Sequence, residues 1–478
     1  MKLLKSLLLA APATLVAAVA AQAADLPSRE AAPIHYVRIC DAYGAGFFFI
    51  PGTNTCLNVG GYVRAQYDYT PGQTVYSPVN GAVTQVAGAQ DTAGIEVRGR
   101  VDLDARTQTE WGTAQTVIWM RATDVDGLRN SPATAAAIGA GGVYAPAGNG
   151  NPGPVFLERA YIRFAGITAG VSADNFVTMP YMYTIMPWAI FGVGVKQLAY
   201  TATFGGGFSS TLAIESRGDA AYSNGTGQYT YNSRPDTGYN LVGNLRYDAS
   251  WGFAQLSGAL GNNSVESGST VVPNSVTLKP GPGYSPLAGP QTYGAYAIGF
   301  GAALKLPMIS AGDVLNVSTA YGHGMLGFVG CENASDCNDG GNHRWLGGVL
   351  RADANLIPTS IGAGGVVNYG TTNSWNVAGM YTHHWSPTWR TNLAAAYQRI
   401  ETPTASAAVL SQLGNADIYA FAGNLIWSPT KNFDIGVELA YLHLNQSIQN
   451  PSAGFVAAGS PGLHEGNWTG KLRLERLF

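Results

Sequence analysis

The clearest feature of the sequence is a strict alternation of apolar and polar side chains. Between positions 93 and 106, apolar or small residues such as Ile95 and Leu103 alternate with charged residues such as Arg98 and Asp102. A period of two places successive side chains on opposite faces of a β-strand, whereas a helix would spread these charges around its whole surface. This segment is therefore predicted to be a strand with one apolar face and one charged face.

The same template predicts sixteen strands along the chain. Short and long spacers alternate between them, and the short spacers carry hairpin-forming residues such as Ala165-Gly166 and Ser386-Pro387. An even number of strands, with short periplasmic turns at one end and long extracellular loops at the other, is typical of a bacterial outer-membrane barrel. The predicted strands are 56–69, 92–107, 112–123, 155–164, 167–174, 196–204, 208–216, 238–248, 252–261, 291–305, 312–322, 372–385, 388–400, 415–428, 432–446 and 467–478.

Composition favours an all-β, transmembrane antiparallel up-and-down β-barrel over a β-sandwich. Charged residues make up 12% of the chain, about half the share that is usual in soluble proteins. A barrel explains this deficit because its outer face meets lipid and its inner face can be wetted by uncharged polar groups. Sixteen strands enclose an aqueous lumen. The net charge of −3 argues against nucleic acid as a partner.

Aromatic side chains recur beside the predicted turns. Rings with a polar edge settle at the headgroup level of a membrane, so these residues are expected to form girdles at the two membrane surfaces. The residues are Tyr67, Tyr69, Trp111, Trp251, Trp385, Trp389, Trp427, Trp468 and Phe478.

The start of the chain is typical of an export signal. Lys2 and Lys5 precede an apolar stretch at 7–20, and Ala21-Gln22-Ala23 is a cleavage-type sequence. An uncleaved anchor is the alternative, but the stretch is short for roughly 30 Å of hydrocarbon. We therefore expect a signal peptide at 1–23, an amino-terminal periplasmic segment at 24–55, a barrel at 56–478 and a location in the cell outer membrane.

Four cysteines in an exported chain predict two disulfides. Proximity in the sequence favours Cys40 with Cys56 and Cys331 with Cys337, and the two other connectivities stay open. The segment at 24–55 would then form a disulfide-closed periplasmic hairpin or lie inside the lumen.

No metal or other cofactor is expected. The cysteines lack the paired C-x-x-C spacing of a zinc site. His383 and His384 are adjacent on a predicted strand and face opposite ways, so at most one of them could bind a given ion.

Charged residues on the polar faces of the early strands are the candidate pore-lining groups. A guanidinium on the lipid face would cost roughly 2–4 kcal/mol at mid-bilayer, so these groups are expected to point into the lumen. Glu158 is an exception, because its parity faces lipid; we expect it at the rim or in a subunit contact. The candidates are Arg64, Glu96, Arg98, Arg100, Asp102, Asp104, Arg106, Arg121, Arg159 and Arg163.

The excess of arginine over acid among these candidates predicts a weak preference for anions. Charges that face inward on the last two strands, Asp434, Glu438, Lys471, Arg473 and Glu475, could offset it. The alternative is that all these charges only solvate the lumen and select nothing.

The segment at 36–64, which contains Cys40 and Cys56, resembles the amino-terminal signature of the alphaproteobacterial porins, the group typified by the rhizobial and Brucella major porins. The segments at 157–164 and 167–173 resemble the strand pair that precedes the constriction loop of general porins, and Phe478 matches the family's assembly signal. The resemblance covers essentially the whole mature chain. It implies a homotrimeric, water-filled, passive channel for small hydrophilic solutes, with outer-membrane lipid, lipopolysaccharide and the assembly machinery as partners.

By the same resemblance, the spacer at 174–195 is the third loop, which in porins folds into the barrel and narrows the pore. That loop usually bears several carboxylates, whereas this spacer holds Asp174 alone, and Asp174 is the remaining candidate for lining the pore. An apolar loop could pack flat against the wall, or it could offer a surface that favours less polar solutes.

Other classes of function have weaker support. No nucleophile elbow, H-E-x-x-H motif or phosphate-binding glycine loop is present in the sequence, and an enzyme is not expected. Asp102 and Asp104 share a strand face and could imitate an acid dyad, but their arginine neighbours favour pore lining. Arg217-Gly218-Asp219 suggests an adhesin only weakly. A substrate-selective channel is the main alternative, because the barrel architecture does not separate general from selective diffusion.

Overall fold

The chain forms a closed barrel of sixteen antiparallel strands in the computed structural model. Each barrel strand pairs with the next along the chain, and the last pairs with the first, so the sheet formed by the described barrel strands closes on itself. The strands, β1 to β16 in order, are Thr55–Thr70, Thr92–Thr109, Gly112–Gly127, Phe156–Phe164, Ile167–Ser172, Val195–Gly205, Phe208–Ser216, Tyr239–Ala249, Gly252–Val265, Gln291–Lys305, Val314–His323, Asn373–Ser386, Trp389–Glu401, Leu413–Thr430, Phe433–Ile448 and Leu463–Leu477.

The structure describes residues 38–70, 75–79, 82–87, 92–127, 155–184, 194–216, 221–223, 230–232, 239–265, 291–330, 356–361, 367–402, 413–448 and 463–478. The predicted signal peptide at 1–23, the Arg217-Gly218-Asp219 tripeptide and the pair Cys331 and Cys337 lie outside these residues. Within them, no helix is long and apolar enough to cross a membrane.

The predicted fold class and strand count are confirmed. Most strand ends fall within two residues of the prediction, and the largest differences are extensions such as the end of β9 at Val265. Backbone pairing continues there beyond the apolar alternation, because ladder hydrogen bonds do not depend on side-chain polarity.

Three long spacers contain short hairpins where the sequence predicted only loops. The pairs are Val75–Val79 with Ala82–Ala87, Ala221–Ser223 with Thr230–Asn232, and Leu356–Ile361 with Val367–Thr371. Strands of three to six residues carry too few alternations to stand out from a polar loop.

The short turns fix the register at one end of the barrel. Ala165 and Gly166 join β4 to β5 with φ angles of 47° and 83°, the left-handed pair that a two-residue hairpin of type I′ requires. A Cβ at Gly166 would lie 2.8 Å from the carbonyl oxygen of Thr201, so glycine also allows the close approach of β6.

The outer face carries the aromatic side chains predicted for the girdles, and all of them are exposed. At the short-turn end, the rings of Trp389 and Trp427 stack with centroids 5.9 Å apart. Toward the long-loop end, Trp375, Tyr397 and Tyr419 form a row with centroid distances of 5.1 and 5.0 Å. The two bands are what two membrane interfaces require.

The amino-terminal segment forms a small hairpin at the short-turn end. Phe47–Phe49 pairs with the start of β1, and a disulfide joins Cys40 to Cys56 with a Cα–Cα distance of 6.0 Å. This confirms the first predicted cystine. Phe47 is buried against the cystine and beneath the guanidinium of Arg106, 4.9 Å from its ring centroid.

Candidate functional site

The spacer after β5 runs through the interior of the barrel. Its described part, residues 174–184, is called the inner loop below. Near its start, Asn175 Nδ2 donates to Gln197 on β6 at 2.6 Å and to Glu215 on β7 at 2.7 Å. Near its end, the backbone amides of Tyr183 and Thr184 donate to the Glu438 carboxylate on β15 at 3.0 and 2.7 Å. These strands lie far apart around the closed barrel, so the segment that joins them must pass inside it.

Glycines on the wall provide the groove that holds the inner loop. A Cβ at Gly299 would lie 2.8 Å from the ring of Phe176, and one at Gly301 would overlap the side chain of Thr178. Across the barrel, a Cβ at Gly436 would overlap the Tyr183 hydroxyl. The small side chains therefore let the inner loop lie flat against the wall.

Asp174, the one acidic residue of the inner loop, forms hydrogen bonds within the loop itself. Asp174 Oδ1 accepts hydrogen bonds from the backbone amides of Phe176 at 2.9 Å and Val177 at 2.7 Å. Ser257 on β9 donates to the Phe176 carbonyl at 2.9 Å. The carboxylate is therefore committed to local structure rather than held out across the lumen.

A charged wall on the inner face of β1 to β4 pairs nearly every arginine with a carboxylate. Arg98 lies 2.8 Å from Glu96, and Arg100 lies 2.7 Å from Asp102, in both cases two positions along one strand face. Arg64 reaches across to Glu475 on β16 at 2.6 Å. Positive and negative side chains alternate along the inward face of each strand, and this alternation produces the ion pairs. The charged wall consists of Arg64, Glu96, Arg98, Arg100, Asp102, Arg121, Glu158 and Arg159.

Glu158 belongs to this wall rather than to the rim or a subunit contact, although the parity of the sequence places it on the lipid-facing side of its strand. The pairing of β3 with β4 shifts by one residue between Trp119 and Met120, which leaves Glu158 as the extra residue of a bulge. Its carboxylate lies 3.5 Å from Arg121 and 3.8 Å from Arg100. A bulge reverses which face the following side chains point to. Whether a bulge forms depends on the pairing with the neighbouring strand, and the alternation within one strand does not reveal that pairing.

Aromatic rings hold several of the guanidinium groups in place. Arg100 stacks 4.2 Å from the centroid of Trp119 and 4.6 Å from that of Tyr62. Arg473 lies 3.9 Å from the ring of Tyr183 on the inner loop. Burial raises the pKa of Tyr183 to about 12, more than the nearby Arg473 charge lowers it, so its hydroxyl stays neutral at physiological pH.

The predicted site residues do not form one cluster. Arg106 pairs with Asp104 at 2.6 Å beneath the amino-terminal hairpin, and Arg163 Nε donates to Thr168 Oγ1 at 3.4 Å beside a short turn. These residues lie at the short-turn end, away from the inner loop. Arg159 remains with the charged wall, where it donates to the Glu158 carbonyl at 3.3 Å.

A cavity of about 260 Å³ lies between the inner loop and strands β13 to β16 and β1. Arg390 pairs with Asp434 along its wall, and Arg473 donates to the neutral oxygens of Gln66 at 2.6 Å and Tyr183 at 3.3 Å. From the sequence, Arg473 is predicted only to face inward and to add to the charges that could offset the early arginines. Its position beside the loop depends on the barrel closing β16 onto β1.

The described residues include no group of three or more His, Cys, Asp or Glu side chains that could hold a metal ion. His383 Nδ1 contacts Asp313 Oδ2 at 2.7 Å, so this histidine is engaged in a hydrogen bond at a short turn.

A closed sixteen-stranded barrel with an apolar outer belt and a loop folded inside it defines the class of outer-membrane porins. The porin subfamily model matches residues 25–462 of the sequence, and the chain belongs to this family. The family indicates a channel rather than an enzyme.

The sequence is 36% identical over 271 residues to porin Omp2b of Brucella abortus (strain 2308), and 37% identical over 271 residues to porin Omp2b of Brucella suis biovar 1 (strain 1330). Each alignment covers 55% of this chain and 66% of the relative, just under two thirds of its length. The fold is similar to that of the outer-membrane channel DcaP of Acinetobacter baumannii, with a TM-score of 0.55 and 16% identity, over 90% of this chain and 99% of that one.

Proposed function

We propose that the protein forms a water-filled channel in the outer membrane for passive diffusion of small hydrophilic solutes and ions. The observation that carries the proposal is the inner loop, which lies inside the barrel against its wall and shares the interior with the charged wall. A loop held inside a barrel of sixteen strands narrows the lumen without filling it, because barrels of this size leave an aqueous channel.

The charged wall and Arg473 are proposed to line the narrow part of this channel. Glu158 is shared between Arg100 and Arg121, and Arg473 donates to neutral oxygens. The charged wall holds five arginines and three carboxylates, which supports a weak preference for anions, while Glu215 and Glu438 at the ends of the inner loop reduce it. Asp104, Arg106 and Arg163 are proposed to line the wider short-turn mouth.

Selective uptake of a solute class is the second candidate. The inner loop presents Tyr181, Met182 and Tyr183 to the cavity rather than carboxylates. Such a surface would favour anions with an apolar body over small inorganic ions.

The assembly is proposed to be a homotrimer, by resemblance to the alphaproteobacterial porins. Residues 1–23 are proposed to be removed on export, and Phe478 to be read by the outer-membrane assembly machinery. In the structure the Phe478 ring is exposed, and its backbone amide donates to the Gly61 carbonyl at 3.1 Å. Contact with lipid and lipopolysaccharide would fall on the outer aromatic bands.

Single-channel recording of the purified mature protein in planar bilayers tests the proposal. A general diffusion channel gives a conductance that rises linearly with salt concentration. A selective channel gives a current that saturates with one solute, for instance benzoate but not acetate. Heat-denatured protein is the control, and native protein that passes no current in any of these salts contradicts both candidates.

A further inference from the structure

A second segment of the chain also folds into the barrel. After β11 ends at His323, the chain turns inward at Gly324 instead of leaving at the rim, and it forms a short 3-10 helix at Leu326–Phe328. Residues 324–330 are called the brace below. Met325, Leu326, Phe328 and Val329 are between 0% and 4% exposed, which is unusual for apolar side chains inside an aqueous lumen.

Hydrogen bonds fix the brace to β12 and to Thr372, the residue before it. The amide of Gly324 donates to the Thr372 carbonyl at 2.9 Å. The side chain of Asn376 donates to the Val329 carbonyl and accepts from the Ala320 amide at 2.8 Å. Because the buried Asn376 side chain uses both its donor and its acceptor, it fixes the brace in one position.

The wall is shaped to receive the brace. A Cβ at Gly322 would lie 2.7 Å from the Met325 carbonyl oxygen, and one at Gly261 would lie 2.7 Å from the Met325 side chain. The glycines on β9 and β11 therefore leave space for the brace, in the same way that Gly299 and Gly301 leave space for the inner loop.

The brace packs directly against the inner loop. The rings of Phe328 and Phe176 lie 4.9 Å apart between centroids at an angle of 58°, and both side chains belong to one buried cluster. Leu326 belongs to the neighbouring cluster, together with Met179 and Met182 of the inner loop. Both contacts lie between the polar anchors at the two ends of the loop.

We propose that the brace is a positioning element for the constriction, and that Phe328 determines how far the inner loop extends into the lumen. The polar anchors at Asn175 and Glu438 hold the two ends of the loop. Between these anchors, the loop is held by the Ser257 hydrogen bond to the Phe176 carbonyl and by apolar packing against the brace and the glycine groove. Without Phe328, the Phe176 side of the loop loses this packing and the constriction becomes wider and more variable.

This inference rests on the proposed channel function, and single-channel recording separates the two. Phe328→Ala is expected to shift the equilibrium between the packed loop and the released loop by about a hundredfold to a thousandfold, because truncating a buried phenylalanine removes packing of that order. The predicted readouts are a larger and noisier open-channel conductance and a larger size limit for sugars in liposome swelling. Phe328→Leu, which keeps the apolar bulk, should give a smaller change in the same direction.

A double-mutant cycle shows whether the effect acts through the inner loop. Phe176→Ala should resemble Phe328→Ala, and the double variant should add little to either, because both remove the same contact. Phe47→Ala, which empties a buried site beside the Cys40–Cys56 cystine, is the matched control; it should lower thermal stability without changing conductance.

The proposal is overturned if folded Phe328→Ala and Phe328→Leu barrels conduct with the same amplitude, noise and size limit as the native protein. It is also overturned if the effects of Phe176→Ala and Phe328→Ala simply add. If the native protein itself carries no current, the channel function fails instead.

Discussion

At the scale of single residues, the lumen combines charge with local neutralisation. Most arginines of the charged wall lie within 4 Å of a carboxylate two positions away on the same strand face or directly across the ladder. Such pairs keep the guanidinium groups oriented in the proposed pore. Ion preference should therefore depend on Glu158, which two arginines share, and on Arg473, which donates to neutral oxygens.

Arg121→Ala should lower the preference for anions. Removing this guanidinium leaves Glu158 with Arg100 as its neighbour at 3.8 Å and reduces the positive potential beside the inner loop. We expect the chloride-to-potassium permeability ratio to fall by about twofold. Arg246→Ala, which removes an arginine paired with Asp248 at the short-turn mouth, is the control and should leave the ratio unchanged. Equal effects of both substitutions would contradict a local role for the charged wall.

Asp313, in the turn between β10 and β11, should make stability depend on pH. Burial raises the pKa of this carboxylate, but hydrogen bonds from the Tyr381 hydroxyl, the His384 amide and His383 outweigh burial and lower the pKa to about 2. A lowered pKa stabilises the fold above the unfolded value of about 3.9, and this contribution is lost as the pH falls through about 2. Thermal unfolding of the native protein and Asp313→Asn should therefore converge between about pH 4 and pH 2. A gap that stays constant over this range would contradict the assignment.

At the scale of secondary-structure elements, the strands depend on local patterning and the inner segments depend on the groove that receives them. The strands can be predicted from alternation because an apolar face repeats along each of them. The turn of the inner loop toward the interior has no such pattern. The feature that accommodates the inner loop is a pair of glycines on a distant strand, Gly299 and Gly301. The sequence alone does not show that these glycines contact Phe176 and Thr178.

Gly301→Val should displace the inner loop. Any Cβ at this position overlaps the Thr178 side chain, so the loop must move toward the lumen and narrow it. We expect a smaller single-channel conductance from a barrel that still folds. Gly294→Val on the same strand is the control, because a Cβ there meets no atom within 4 Å. An unchanged conductance for Gly301→Val would show that the loop does not limit the current.

Removal of the Cys40–Cys56 cystine should destabilise the short-turn end while leaving the constriction intact. The two cysteines are 16 residues apart in the sequence, and a loop of this length contributes about 3 kcal/mol to the free energy of unfolding. The Cys40→Ser, Cys56→Ser double variant should unfold at a lower temperature than the native protein and conduct normally. Ala45→Ser, in the same hairpin, controls for the substitution itself. A large change in conductance would instead place the hairpin in the narrow part of the pore.

At the scale of the whole molecule, the candidate channel depends on the closure of the barrel by the pairing of β16 with β1. The number of strands and the parity of most charges could be predicted because both follow from a period of two. The bulge at Glu158, the brace and the placement of Arg473 could not, because each depends on which strands or loops become neighbours after closure. The apolar inner wall beneath the inner loop belongs to the same group: Ala378, Ala396 and Ala420 face inward but are buried.

The reversal potential of the purified protein in a planar bilayer, under a gradient of potassium chloride, tests the central claim most directly. A water-filled barrel with an excess of arginine over carboxylate on its charged wall predicts a measurable current and a reversal potential displaced modestly toward the chloride equilibrium value. The absence of current, or a reversal potential near the potassium value, would contradict it.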